Sequence, residues 1–298
     1  MKKCIFSGVA TAVITPFSSG NIDYCAFETI LQKQIDEGAD AVVVLGTTGE
    51  PCTVSDDERT QIIKTAVKVC GGKIKVVVGC GSNSTLRAIW LYQMAERLGV
   101  DGALIVTPYY NKCTQNGIVE HYKQISNSGN LPIIAYNVPS RTGVNILPQT
   151  ALSLSKIKNV CGIKEASGNI SQILEYFKLL KGKIAIYSGE DSLNGIFMCL
   201  GGNGFISVAS NAFPKIVKRV YNLGKANQFE KMYKVQTELL PVINALFLEV
   251  NPIPIKAAMH TLGLCKNELR SPLTKMSPQN FAELKKQTEI LMGKAHKL

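Results

Sequence analysis

The chain has 298 residues, 46% of them hydrophobic and 18% charged, with a formal net charge of +11 and a pI near 9.2. That length holds two small domains or one large barrel, and the composition excludes a disordered or fibrous chain. The positive charge is spread along the sequence, with Lys2-Lys3, Lys285-Lys286 and the Lys294/Lys297 end as its only short clusters, and no aromatic-interleaved basic motif accompanies it. It therefore reads as a solvated basic surface, with nucleic-acid binding as a remote alternative.

The first residues lack the continuous apolar core and cleavage site of a signal peptide, and no apolar run approaches the ~20 residues of a membrane span. Nine cysteines, odd in number and without a C-x-x-C pair, read as free thiols in a reducing compartment. A cytoplasmic protein without membrane contact is the expectation.

Short β-branched runs bounded by Gly or Pro alternate with segments of helical period, the pattern of a parallel sheet with crossover helices. The first predicted strand, 9–15, is followed by a second at 41–45 that ends in Gly46-Thr47-Thr48-Gly49-Glu50. Its two hydroxyls and Gly-flanked backbone suit a carboxylate, although a simple turn would use the same residues. Ser55-Asp56-Asp57-Glu58 opens a helix to about Cys70 as a capping box. The strand at 74–78 leads into Gly79-Cys80-Gly81, which has two glycines of a dinucleotide fingerprint but lacks the third. Ser84 is placed to cap a helix over 85–98. Gly38 and Gly99 sit where a helix end passes into the next strand, as left-handed C′ residues.

A fourth strand, 103–107, runs into Pro108-Tyr109-Tyr110, and a fifth, 133–137, into Val138-Pro139-Ser140-Arg141-Thr142-Gly143. Phenols such as Tyr136 near neighbouring strand ends suit a proton relay, and Arg141 offers a fork for a carboxylate. The sixth strand, 161–164, closes on Lys164. A lysine carried into the interior loses hydration, which favours the neutral amine that attacks a carbonyl to form a Schiff base. A lone strand-end lysine more often snorkels to water, so its neighbours decide.

The seventh and eighth strands, 185–188 and 205–208, are flanked by Ser188-Gly189-Glu190-Asp191 and by Gly201, Gly202 and Gly204, glycines that let backbone approach a small ligand. Eight strands make a TIM (β/α)8 barrel, whose chemistry sits at the carboxyl ends of the strands. After a helix over 214–224, only helical patterns remain, at 228–247, 254–262 and 278–292. The barrel is placed at 1–225 and an appended C-terminal helical segment at 226–298. His121, His260 and His296 share no metal-binding spacing, so no metal is expected. A G-x-S-x-G nucleophile elbow is also absent.

Taken in order, the motifs around Thr47, Tyr136, Lys164 and Gly189 make the chain resemble the dihydrodipicolinate synthase family of pyruvate-dependent class I aldolases, over nearly its whole length. The resemblance implies Lys164 as Schiff-base lysine, Tyr136 as proton donor and acceptor, and Thr47 and Tyr110 as relay partners, with no cofactor. It also implies Thr48, Ile206 and Gly189 as substrate-binding positions and Arg141 as the group that holds a second carboxylate. The implied substrates are pyruvate and L-aspartate 4-semialdehyde, joined and cyclised in lysine and diaminopimelate biosynthesis. N-acetylneuraminate lyase and 2-keto-3-deoxygluconate aldolase types are the alternatives, and they generally lack the arginine at position 141.

In the family the tyrosine matching Tyr110 enters a neighbouring subunit's site, which implies at least a dimer and, as the commonest assembly, a tetramer. Many members are inhibited by lysine at a site matched here by Pro51, Asp56, Arg59, Asn83, Arg87 and Tyr109. Asn83 and Tyr109 fit that pattern. Arg87 replaces a glutamate, and its charge opposes an ammonium, so weak or absent lysine inhibition is expected.

Overall fold

A computed structural model describes residues 2–294, and His296 and Lys297 lie outside them. Eight parallel strands form a closed barrel: β1 Gly8–Ala12, β2 Ala41–Val44, β3 Lys75–Gly79, β4 Gly102–Val106, β5 Ile133–Asn137, β6 Val160–Glu165, β7 Ala185–Ser188 and β8 Gly204–Ser207. Each strand pairs with its chain neighbour, and β8 closes on β1. The strands are buried on both faces, which is why they read in sequence as apolar runs rather than as alternating patterns.

Most strand ends lie within a residue of expectation, but β1 stops three residues early. Val13 still donates its N–H to Val43 O at 3.0 Å. The chain then leaves the sheet, and the Thr15 hydroxyl donates to Gly49 O at 2.8 Å. The β-branched run Val13-Ile14-Thr15 thus continues the strand pattern beyond the pairing that defines a strand.

The helix Asp56–Cys70 starts with the expected capping box: Ser55 Oγ accepts from Glu58 N–H, and the Glu58 carboxylate accepts from Ser55 N–H. Ser84 Oγ likewise accepts from Arg87 N–H at the start of Thr85–Arg97. Gly38 and Gly99 hold φ of +83° and +76° beyond their helices.

The glycines around β8 serve a purpose other than ligand approach. A Cβ on Gly204 would lie 1.9 Å from Gly8 O, where β1 and β8 seal the barrel, and one on Gly202 would lie 2.9 Å from Phe197 O. Neither Gly201, Gly202 nor Gly204 lines a cavity near the strand ends. Gly79 is explained in the same way, since its Cβ would meet Leu45 O at 2.0 Å. The two fingerprint-like glycines therefore let strand ends pack closely.

Two layers of core result. Inside the barrel, Ala10, Ala41, Val77, Leu104, Ile134, Tyr136, Tyr187 and Ile206 pack together. Between strands and helices runs a larger layer that also takes in Leu239, Val242, Ile255, Met259 and Leu284 from the helices Phe229–Ala245, Ile253–Thr261 and Pro278–Lys294. Each such fully buried aliphatic side chain contributes about 1.5–3 kcal/mol of transfer free energy. All nine cysteines are free thiols. Among the described residues no helix is long and apolar enough to cross a membrane.

His121 sits in the outer layer, 3% exposed, with Nδ1 3.0 Å from the Thr85 hydroxyl. Burial lowers its pKa to about 4 from 6.5. The unfolded chain takes up this proton below pH 6.5, whereas the folded chain takes it up only near pH 4, so stability falls as pH drops through that window. The expected loss is roughly 3 kcal/mol across the window. Thermal unfolding midpoints should decline from neutral pH toward about pH 5, and His121→Gln should flatten that decline.

Candidate active site

Lys164 on β6 lies opposite Tyr136 on β5 and opposite Tyr187 on β7 in the strand register. In a parallel sheet, residues paired in this way share a face, and here it is the barrel interior. Lys164 is 5% exposed and Tyr136 6%, with the Lys164 Nζ 4.3 Å from the Tyr136 ring centroid. Both side chains are thus withdrawn from bulk water and in contact.

The next residue on each strand points outward and fixes the pair from behind. Asn137 Nδ2 donates to Glu165 Oε2 at 2.8 Å and to Asn145 Oδ1 at 2.9 Å, while Asn137 Oδ1 accepts from Ile146 N–H. Glu165 Oε1 accepts from Ser167 N–H at 2.7 Å. Burial raises the Glu165 pKa, against the pull of its bonds to Ser167 and Asn137.

The motif after β7 shapes the same place. A Cβ on Gly189 would lie 2.6 Å from Lys164 Cε and 2.9 Å from Lys164 Cγ, so only glycine leaves room for the lysine chain. Asp191 accepts from Val208 N–H and Ala209 N–H at 2.9 and 2.8 Å, tying the end of β7 to the end of β8. Burial raises the pKa of the intervening Glu190; the neighbouring Asp191 charge adds to that rise, and the Lys164 cation opposes it.

Lys164, Tyr136, Thr47, Thr48, Arg141 and Gly189 all line one cavity of about 170 Å³. Thr47 and Thr48 open a single 3-10 turn, Thr47–Gly49, the position where a turn leaves N–H groups free for a ligand. Arg141 lies in the short helix Pro139–Thr142 and donates to Asn251 O at 3.0 Å. The cavity thus gathers an amine, a phenol, two hydroxyls and a guanidinium. Such a set can bind carboxylates, form an imine and move a proton.

Four expected positions fall outside it: Ile206, Tyr110, Asn83 and Tyr109, the last of which lines the larger cavity. Ile206 is packed in the barrel interior at 1% exposure, on the same inner face as Tyr136 but outside the cavity's lining. Tyr110 is 89% exposed at φ +71° and lines neither this cavity nor the larger one beside it. Asn83 lies beside the larger cavity without lining it, and its carbonyl accepts from Asn111 Nδ2 at 2.9 Å.

That larger cavity, about 520 Å³, shares Thr47, Tyr136 and Arg141 with the first and adds Arg59, Arg87 and Tyr109. Burial raises the Tyr109 pKa and lowers that of Arg59. Arg87 pairs with Asp56, which holds that carboxyl below its usual range, and lies 4.4 Å over the Trp90 ring.

Sequence reasoning missed Asn251 and Phe247, and gave Ser140 and Glu190 no role within the motifs that carry them; all four also line the smaller cavity. Asn251 is buried, and its Nδ2 donates to the Thr48 hydroxyl at 3.0 Å, across 203 positions of chain. The available signal was Asn251-Pro252-Ile253-Pro254, a polar residue and two prolines interrupting a helical pattern.

The model of the Dihydrodipicolinate synthetase family matches residues 5–291. The 4-hydroxy-tetrahydrodipicolinate synthase of Alkaliphilus oremlandii is 48% identical, over 96% of this chain and 100% of its own. The dihydrodipicolinate synthase structure from Thermotoga maritima superposes with a TM-score of 0.94 at 43% identity, covering 96% of this chain and 98% of that one. The chloride-inhibited dihydrodipicolinate synthase from Acinetobacter baumannii, solved with pyruvate, gives a TM-score of 0.93 at 39% identity, covering 96% and 99%. With the barrel, the buried lysine and these relatives in agreement, the chain belongs to the dihydrodipicolinate synthetase family.

Proposed function

We propose that this chain is a 4-hydroxy-tetrahydrodipicolinate synthase, a lyase that condenses pyruvate with L-aspartate 4-semialdehyde through a lysine Schiff base. The observation that carries this reading is the buried Lys164 against Tyr136 in a cavity that also holds Arg141. Relatives bearing that name cover nearly the whole chain, and a solved neighbour is described with pyruvate.

In this reading Lys164 Nζ attacks the ketone carbon of pyruvate, and loss of water leaves an iminium. Thr48, the turn amides and Gly189 accommodate the pyruvate carboxylate. The iminium draws electrons from the methyl group, whose proton leaves through Tyr136 and Thr47 to give an enamine. The enamine carbon then bonds to the aldehyde carbon of the semialdehyde, and the resulting alkoxide takes up a proton from the Tyr136 relay. Arg141 holds the semialdehyde carboxylate by a charge-assisted fork. The semialdehyde's own amino group finally adds to the imine carbon and expels the Lys164 amine, closing the ring.

The barrel at 1–225 carries these groups, and the helical segment at 226–298 supports them. Tyr110, extended into solvent, completes the relay of a neighbouring subunit, so the working form is an oligomer, a tetramer in our reading. The protein acts in the cytoplasm on small molecules, with no nucleic-acid or membrane partner.

Borohydride reduction in the presence of pyruvate should add the mass of a reduced pyruvate imine to the peptide carrying Lys164. Lys164→Met should abolish both the adduct and turnover of pyruvate with aspartate semialdehyde. An adduct elsewhere, or turnover surviving in Lys164→Met, would remove the mechanism. Because Arg87 matches the position where lysine-sensitive members of the family carry a glutamate, and its cation would oppose an effector's ammonium, millimolar free lysine should leave turnover within about twofold. Strong suppression in a lysine titration would contradict this.

A further inference from the structure

The loop that carries Thr47 and Thr48 is held in a conformation its own residues disfavour. Leu45 and Glu50, which bracket it, have φ of +56° and +51°, a left-handed backbone that is unfavourable for any residue but glycine. Within the loop two turn bonds oppose that cost, Gly49 N–H to Gly46 O and Glu50 N–H to Thr47 O, with Thr15 and Thr53 donating to Gly49 O and Glu50 O at its end. Much of the remaining hold comes from the C-terminal segment.

Asn251 reaches the Thr48 hydroxyl. Lys256 Nζ pairs with Glu50 Oε1, both side chains essentially unexposed, and also donates to Glu268 O at 2.9 Å. Arg270 donates its N–H to Glu50 Oε2 at 3.1 Å, and its guanidinium donates to Thr53 O and to the Glu58 carboxylate. Lys256 Nζ and the Arg270 guanidinium carbon lie 3.9 and 4.5 Å from the Phe17 ring centroid.

A fully buried ion pair is a poor source of stability, because desolvating both charges offsets most of their attraction. Burial lowers the Lys256 pKa, while Glu50 acts to raise it. What such a pair supplies well is a fixed geometry, here for the end of the loop.

We propose that Lys256, acting through Glu50, is a positioning residue for the reaction: the buried pair fixes the Thr47–Thr48 turn against Tyr136 and Lys164 and thereby sets the geometry of proton transfer. This rests on the Schiff-base reading above, and the two can fail separately. Wild-type enzyme that gives no borohydride adduct at Lys164 defeats the Schiff-base reading.

The test uses the full-length double variant Lys256→Met/Glu50→Gln, whose neutral, similarly sized pair avoids an unpaired buried charge, alongside Lys256→Met and Glu50→Gln. Imine formation is read by borohydride trapping, proton transfer by solvent-deuterium exchange into the pyruvate methyl group, and folding by thermal midpoint. The double variant should fold near the wild-type midpoint and trap pyruvate to the wild-type extent, yet exchange about tenfold or more slowly, since a small misplacement of a catalytic group is costly. Exchange within about twofold of wild type in the folded double variant would overturn the proposal. If the double variant does not fold, Glu50→Gln, which keeps an acceptor for Arg270 N–H, decides by the same exchange criterion.

Discussion

The pairing of β5 with β6 is the constraint on which the site depends. Tyr136 and Lys164 face each other because their strands are in that register, and a slip of one residue in either strand would turn that strand's side chain out of the barrel and bring Asn137 or Glu165 in. The outward Asn137–Glu165 bond, backed by Asn145, Ile146 and Ser167, opposes such a slip. The same strand pair that buries the amine therefore also locks its partner phenol. Barrel closure through the Gly8–Gly204 contact gives both strands a fixed frame.

The barrel alone does not complete the cavity. Asn251 and Phe247, both beyond the eighth strand, form part of its wall, and Asn251 bonds at once to Thr48 and Arg141. The segment after residue 226 also packs into the same hydrophobic layer as the barrel helices. The catalytic loops are thus held from two sides, by strand ends below and by the C-terminal helices above. Strain at Leu45 and Glu50 is sustainable because those outside contacts over-determine the turn.

Much of this was legible in the sequence because buried parallel strands announce themselves as apolar runs cut off by Gly or Pro. Polar residues directly after such runs are then candidates for the carboxyl-end face. That reasoning singles out the strand-end motifs that hold Lys164, Tyr136, Thr47, Thr48, Arg141 and Gly189, and these six residues line one cavity. Other features needed three-dimensional knowledge. Ile206 shares the barrel interior with Tyr136, and that it stays out of the cavity's lining follows from depth along the barrel, which no sequence pattern carries. Asn251 meets Thr48 only through tertiary packing, and Gly202 and Gly204, which read as part of a ligand cradle, serve close backbone packing. The Glu50–Lys256 pair was illegible for a similar reason, since neither residue carries a local signal of burial.

The most direct test of the account is solvent-deuterium exchange into the methyl group of pyruvate, followed by proton NMR without the second substrate, in wild type and Tyr136→Phe. If Tyr136 moves the proton from the Lys164 iminium, wild type exchanges, and Tyr136→Phe still gives the borohydride adduct but loses exchange by about a hundredfold or more. Unchanged exchange in Tyr136→Phe would contradict the claim that the β5–β6 register builds the catalytic pair.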